Sequence, residues 1–149
     1  MRMVMNDDPH EISEQEAVFW EMPESAPAHI LREEVNGKPA FDLEERTARF
    51  GEAIIHFARK IPDAVTSRLI SQLVGAATSV GANYCEANDC VSKKDFKKSI
   101  GTCRKEAKEA RFFLRMTANV EPSLKDEARG LWREAKEPNL IFGAIWRKP

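Results

Sequence analysis

Four stretches of the chain repeat apolar residues at alternating spacings of four and three, the period of a helix with one buried stripe. The first carries Leu43, Thr47, Phe50, Ile54, Phe57 and Ile61. It opens on a capping-box pattern, Asp42 with Glu45, has Phe41 as a staple residue, and stops at Pro62. The second starts between Asp63 and Ser67 and runs to about Asn88, with Leu69, Leu73, Ala76, Val80 and Ala87 on its apolar line and Tyr84 at the edge. The third follows an N-cap at Ser92, with Asp95 three residues on, and runs to about Ala118 through Phe96, Ile100, Cys103, Ala107, Ala110, Leu114 and Thr117. The fourth, capped by Ser123, carries Leu124, Ala128, Leu131 and Ala135. Pro138 then falls where the next core residue belongs, which predicts a kink or break near Glu137–Asn139 before a last segment from Leu140 to Trp146. Amphipathic helices joined by short connections predict an all-α fold, an antiparallel up-down four-helix bundle over residues 41–149.

The second helix departs from ordinary core patterning. Ala76, Ala77, Ser79, Gly81 and Ala82 are small, and Gln72, Ser79, Asn83 and Glu86 recur at spacings of seven, four and three, a polar seam beside the apolar line. Gly75 and Gly81 each cost roughly 1 kcal/mol of helix propensity, for which close approach of another helix is the expected compensation. Buried seam residues would need partners, in a network within the bundle or across a subunit contact.

Residues 1–40 have a different character. Prolines at 9, 23, 27 and 39 and Gly37 punctuate them. Through residue 41 there are three Lys/Arg against nine Asp/Glu, a net −6, so the remaining 108 residues carry +5. The near-neutral whole chain thus hides an acidic N-terminal extension on a mildly basic body. A short helix from about Glu11 to Trp20, with Ile12, Glu16, Phe19 and Trp20 on one edge, is one reading of this arm, docked on the body or on a neighbouring subunit; disorder is the other. No apolar run reaches the length of a membrane span and the N-terminus lacks the apolar core of a signal peptide, so a cytoplasmic protein is expected. Cys85, Cys90 and Cys103 are expected to be buried free thiols.

One residue past the core register of the third helix stands a second line: Lys97, Gly101, Arg104, Lys108, Arg111 and Arg115. Between Lys93 and Arg115 nine basic residues face three acidic ones, and Lys93, Lys94, Lys97, Lys98, Arg104, Lys108, Arg111 and Arg115 are the candidate phosphate contacts. Phe112, Phe113 and Met116 add apolar surface off the core line. The chain has no Ser/His/Asp set, glycine-rich phosphate loop or carboxylate–histidine cluster at metal-ligand spacing, and His56 stands alone beside the first stripe. A non-enzymatic protein without metal or cofactor is expected.

Three segments, DLEERTARFGEAIIHFARKIP, QLVGAATSVGANYCEAN and SKKDFKKSIGTCRKEAKEARFFL, resemble the four helix bundle protein family. That family includes proteins encoded within intervening sequences of bacterial 23S ribosomal RNA genes, and accessory variability proteins of diversity-generating retroelements are related to it. The resemblance covers about Phe41 to Trp146 and is most specific at SVGANYCEAN and the S-K-K-D-F start of the third helix. It implies a homo-oligomeric ring, typically a pentamer, and in the retroelement branch a basic surface engaging nucleic acid and a reverse transcriptase. For the rRNA-associated branch it implies no defined activity. Two functions follow as expectations: a module binding RNA or DNA, or a ribosomal or reverse-transcriptase partner, through the third helix, or a purely structural oligomer. Phe112, Phe113, Trp132, Phe142 and Trp146 are the candidate contacts of the second.

Overall fold

The computed structural model describes Trp20, residues 34–35, 38–39, 42–63, 65 and 67–149. Phe41 and, apart from Trp20, the expected arm helix lie outside the described residues. A two-residue ladder pairs β1 (Glu34–Val35) antiparallel with β2 (Lys38–Pro39). Four helices follow: α1 (Leu43–Ala58), α2 (Ser67–Asp89), α3 (Lys93–Val120) and, after a 3-10 turn at Pro122–Leu124, α4 (Lys125–Arg147).

Local chemistry sets the helix starts. The Asp42 carboxylate accepts from Glu45 N–H at 3.1 Å and Ser92 Oγ accepts from Asp95 N–H at 3.0 Å, each satisfying an amide that lacks an intrahelical partner. Ser123 does not cap α4 as expected. It sits in the 3-10 turn and donates instead to Glu121 Oε1 at 2.5 Å.

The four-three stripes converge on a core in two parts. Phe50, Ile54, Phe57, Leu73, Leu114, Leu131 and Trp132 fill one. Leu43, Val80, Ile100, Cys103, Ile141 and Phe142 fill the other, where the Tyr84 ring lies 5.7 Å from that of Phe142. Trp132 and Phe142, expected as interaction residues, are therefore core. Helix α3 packs extensively on α2 and α4, and α1 mainly on α2; the α1–α4 contact is sparse. Ion pairs cross it between Arg46 and Glu137 and, at 2.8 Å, between Lys60 and Glu127.

Trp20 joins the first core cluster at 7% exposure. It meets Trp132 edge-on with ring centroids 5.4 Å apart, and the Arg129 guanidinium lies 6.0 Å from its ring. Burying an indole is worth roughly 4–6 kcal/mol before the cost of ordering its segment, enough to hold that residue of the arm on the body.

The break predicted at Pro138 does not occur. Helix α4 runs unbroken from Lys125 to Arg147, with Pro138 buried at the core position that the apolar repeat assigns to it. Asn139 to Phe142 are buried on its C-terminal side, and Asn139 Nδ2 donates to the Arg104 carbonyl of α3 at 2.9 Å. These contacts offset the ~3 kcal/mol that an interior proline costs a helix. The thiols also differ from expectation: only Cys103 is buried, whereas Cys85 is exposed and Cys90 intermediate, because the second helix turns the Cys85 side outward.

Candidate nucleic-acid interface

The basic line of α3 divides into two groups with different surroundings. At the start of the helix Lys93, Lys94 and Lys98 are exposed and Lys97 is half-buried. About two turns on, Arg104 is half-buried and its guanidinium lies 5.8 Å from the Trp146 ring. None of these five cations forms an ion pair with a described residue. Farther along, Lys108 is exposed and Arg115 half-buried.

Arg111 is not a surface cation. It is 7% exposed and its guanidinium stacks 4.4 Å above the Trp132 ring. The one-residue offset from the core register turns this line toward α4, and at Arg111 an indole fills the space beside it. A desolvated guanidinium–indole contact is worth about 2 kcal/mol, so Arg111 belongs to the fold and not to the phosphate-contacting set.

The same turn toward α4 brings in residues far along the chain. A β-carbon on Gly101 would come within 3.2 Å of Trp146 Nε1, so the indole's pyrrole edge rests against bare α3 backbone. Trp146 nonetheless remains 44% exposed. Around Gly143, Arg147 Nη1 and Arg104 Nε come within 3.6 and 3.7 Å of the point where a β-carbon would stand. The two atoms are therefore at most about 7 Å apart, and like charges at such a separation near a surface repel by roughly 1–2 kcal/mol, which a bound anion would relieve. From Lys93 to Arg104 α3 has a single carboxylate, Asp95, which accepts from Ser92 Oγ at 2.6 Å. From Asn139 to the Lys148 that follows α4 there is none. Sequence reading missed Arg147 and Lys148 as members of this cluster and took Trp146 for an apolar contact; their only signal was a basic C-terminus after an aromatic.

The polar seam of α2 lies outside the bundle interior. Gln72 and Glu86 are exposed and Ser79 and Asn83 half-buried, so no network within the bundle forms. Asn83 Nδ2 donates to the Ser79 carbonyl at 2.8 Å in its own helix. Gln72 and Ser79 line an open groove between α2 and α3 with Arg68, Gly75, Glu106 and Glu109. Burial and then the neighbouring Glu109 raise the pKa of Glu106, opposed by Lys105. Gly81 does meet another helix closely, with Thr47 Oγ1 3.0 Å from a β-carbon built there, whereas one at Gly75 would meet nothing within 4 Å. Burial pushes the Cys103 thiol up from 9.0 to about 12, with smaller contributions from Cys85 and Glu86. Among the described residues no group of three or more His, Cys, Asp or Glu is arranged to hold a metal ion, and no helix is long and apolar enough to cross a membrane.

Among the described residues the fold is helical, four helices beside one two-residue ladder, with cations gathered where the start of α3 meets the close of α4. Residues 41–140 match the family model of the 23S rRNA-intervening sequence proteins, and the chain belongs to that family. A crystal structure of a protein of unknown function from the S23 ribosomal protein family of Bacteroides thetaiotaomicron VPI-5482 has a similar fold: TM-score 0.65 at 21% identity, over 70% of this chain and 98% of that one. No curated protein matches the chain.

Proposed function

We propose that this chain is a non-enzymatic module that folds as an up-down antiparallel bundle, assembles with copies of itself, and binds nucleic acid at the end formed by the start of α3 and the close of α4. The observation that carries the reading is the meeting of Arg104 with Arg147 over Gly143, in segments (Lys93–Arg104 and Asn139–Lys148) that also hold Lys93, Lys94, Lys97, Lys98 and Lys148, have Asp95 as their one carboxylate, and place none of these cations in an ion pair with a described residue. Cations left without carboxylates are available to neutralise phosphates and release counterions. The ion pairs at either end of the α1–α4 contact support the antiparallel arrangement, since Arg46 near the start of α1 meets Glu137 late in α4 and Lys60 just past α1 meets Glu127. A ring of copies, as the family resemblance implies, would repeat the cluster and multiply its effect. A ribosomal or reverse-transcriptase partner is an expectation of the same resemblance.

The test is fluorescence anisotropy of labelled RNA and DNA with the full chain across a salt series. Binding should weaken linearly with log salt, and Lys94→Glu with Lys98→Glu should lower both affinity and slope. No binding at low salt would end this reading.

A second reading, a structural oligomer without nucleic-acid binding, is favoured by Phe112, Met116 and Val120, exposed apolar residues at successive spacings of four. Under it, Phe112→Asp reduces particle mass in light scattering while the lysine reversals change nothing.

A further inference from the structure

We propose that Trp146, Arg104 and Arg147 form a site for one nucleotide unit of a single strand, the base stacked on the indole and its phosphate held between the two guanidinium groups. The proposal rests on the nucleic-acid reading above and names what that surface selects. Three observations converge on it. The indole is exposed although it is seated: its pyrrole edge lies against Gly101, where a β-carbon would stand within 3.2 Å of Nε1, and 44% of the residue faces solvent. The two guanidinium groups come together over Gly143, and neither forms an ion pair with a described residue. Asn139, buried and donating to the Arg104 carbonyl, fixes the register of α3 against α4 that brings the pair together.

An exposed indole flanked by cations is the arrangement that proteins use for unpaired bases, because every base has a π-face and only an unpaired one can offer it. The faces of duplex bases are hidden in the stack, so a duplex meets the same cluster through phosphates alone. Lys97, one turn before Gly101 on α3, and Lys148 beyond Arg147 then stand where neighbouring phosphates of the strand would run. The arginines alone would suit any phosphate; the adjoining indole and lysines specify a strand.

The experiment compares the full-length wild type, Trp146→Ala, Trp146→Tyr and Arg147→Gln for binding to a single strand of about 15 nucleotides, the same sequence as a duplex, and a mononucleotide. Stacking is worth about 1–3 kcal/mol per base, so Trp146→Ala should weaken single-strand binding roughly 5- to 150-fold at unchanged salt slope. Duplex binding should change less than threefold, and Trp146→Tyr should restore most of the single-strand affinity. Arg147→Gln, at the exposed end of α4, should lower the single-strand salt slope by about 0.7 with the melting temperature unchanged. Wild type that binds neither form would defeat the underlying nucleic-acid reading. Wild type that binds both, with Trp146→Ala lowering both equally or neither, would defeat only this proposal, as would a mononucleotide that binds as tightly as the strand. A Trp146→Ala variant that melts lower but binds unchanged would show Trp146 to be a packing residue and overturn the proposal.

Discussion

Two glycines on the α1–α2 contact, Gly51 and Gly81, and a third, Gly75, in the open α2–α3 groove offer a graded test of how closely the helices approach. Replacing a helical glycine by alanine gains about 1 kcal/mol of propensity wherever the methyl fits. At Gly75 it meets nothing within 4 Å, so Gly75→Ala should stabilise the chain by close to that amount, or about 3 °C for a domain of this size. At Gly51 the nearest atom is the Thr78 Cα at 3.7 Å, ordinary contact, and a smaller gain is expected. At Gly81 the methyl would stand 3.0 Å from Thr47 Oγ1 and 3.3 Å from its Cβ. Thr47 has little room to yield. It is buried, β-branched, and its hydroxyl donates to the Leu43 carbonyl at 2.6 Å. Overpacking of this kind costs about 1–3 kcal/mol, which cancels or exceeds the propensity gain, so Gly81→Ala should lie roughly 1–3 kcal/mol below Gly75→Ala. Urea titration of the three variants at one protomer concentration measures the order. Thr47→Ala in the Gly81→Ala background should recover about 0.5–1 kcal/mol as coupling. A Gly81→Ala variant as stable as Gly75→Ala would refute the close approach. Loss of stability at Gly75→Ala with a smaller particle in light scattering would instead place the α2–α3 groove in a contact between copies.

Trp20→Ala should lower stability by about 2–4 kcal/mol and red-shift the emission of Trp132; an unchanged urea midpoint would remove the arm from the fold. Arg111→Glu should cost roughly 2–4 kcal/mol, since it unstacks Trp132 and buries a carboxylate, and retention of the wild-type melting temperature would contradict its burial. Cys103 holds its proton longer in the folded chain than the ordinary thiol value of 9.0 allows, so its contribution to stability is full below pH 9 and lost as pH rises toward 12. The fall in melting temperature across that window should therefore be shallower in Cys103→Ala, and equal slopes would refute the linkage. With native protein at neutral pH, a thiol reagent should modify Cys85 quickly and Cys103 only on unfolding.

Spacing along the chain determined four helices and most of the core but not Trp132 or Phe142, because a 3.6-residue repeat follows from local backbone geometry and needs no knowledge of the neighbouring helix. Leu43 through Ile61 and Ile100 through Thr117 are buried where the pattern placed them. What the pattern could not determine was what lies opposite each helix. Arg111 reads as one more cation on a basic line, and only the Trp132 ring, brought beside it by the packing of α4 on α3, makes it a buried residue. Pro138 reads as a helix breaker, and only the buried residues after it and the Asn139–Arg104 contact keep α4 whole. Gly75 and Gly81 are alike in sequence and differ entirely in what a methyl would touch. Trp146 and Arg147 lie some 40 residues from Arg104, so nothing in local spacing joins them. Their meeting is a property of helix register, which is decided by the summed packing of both helices.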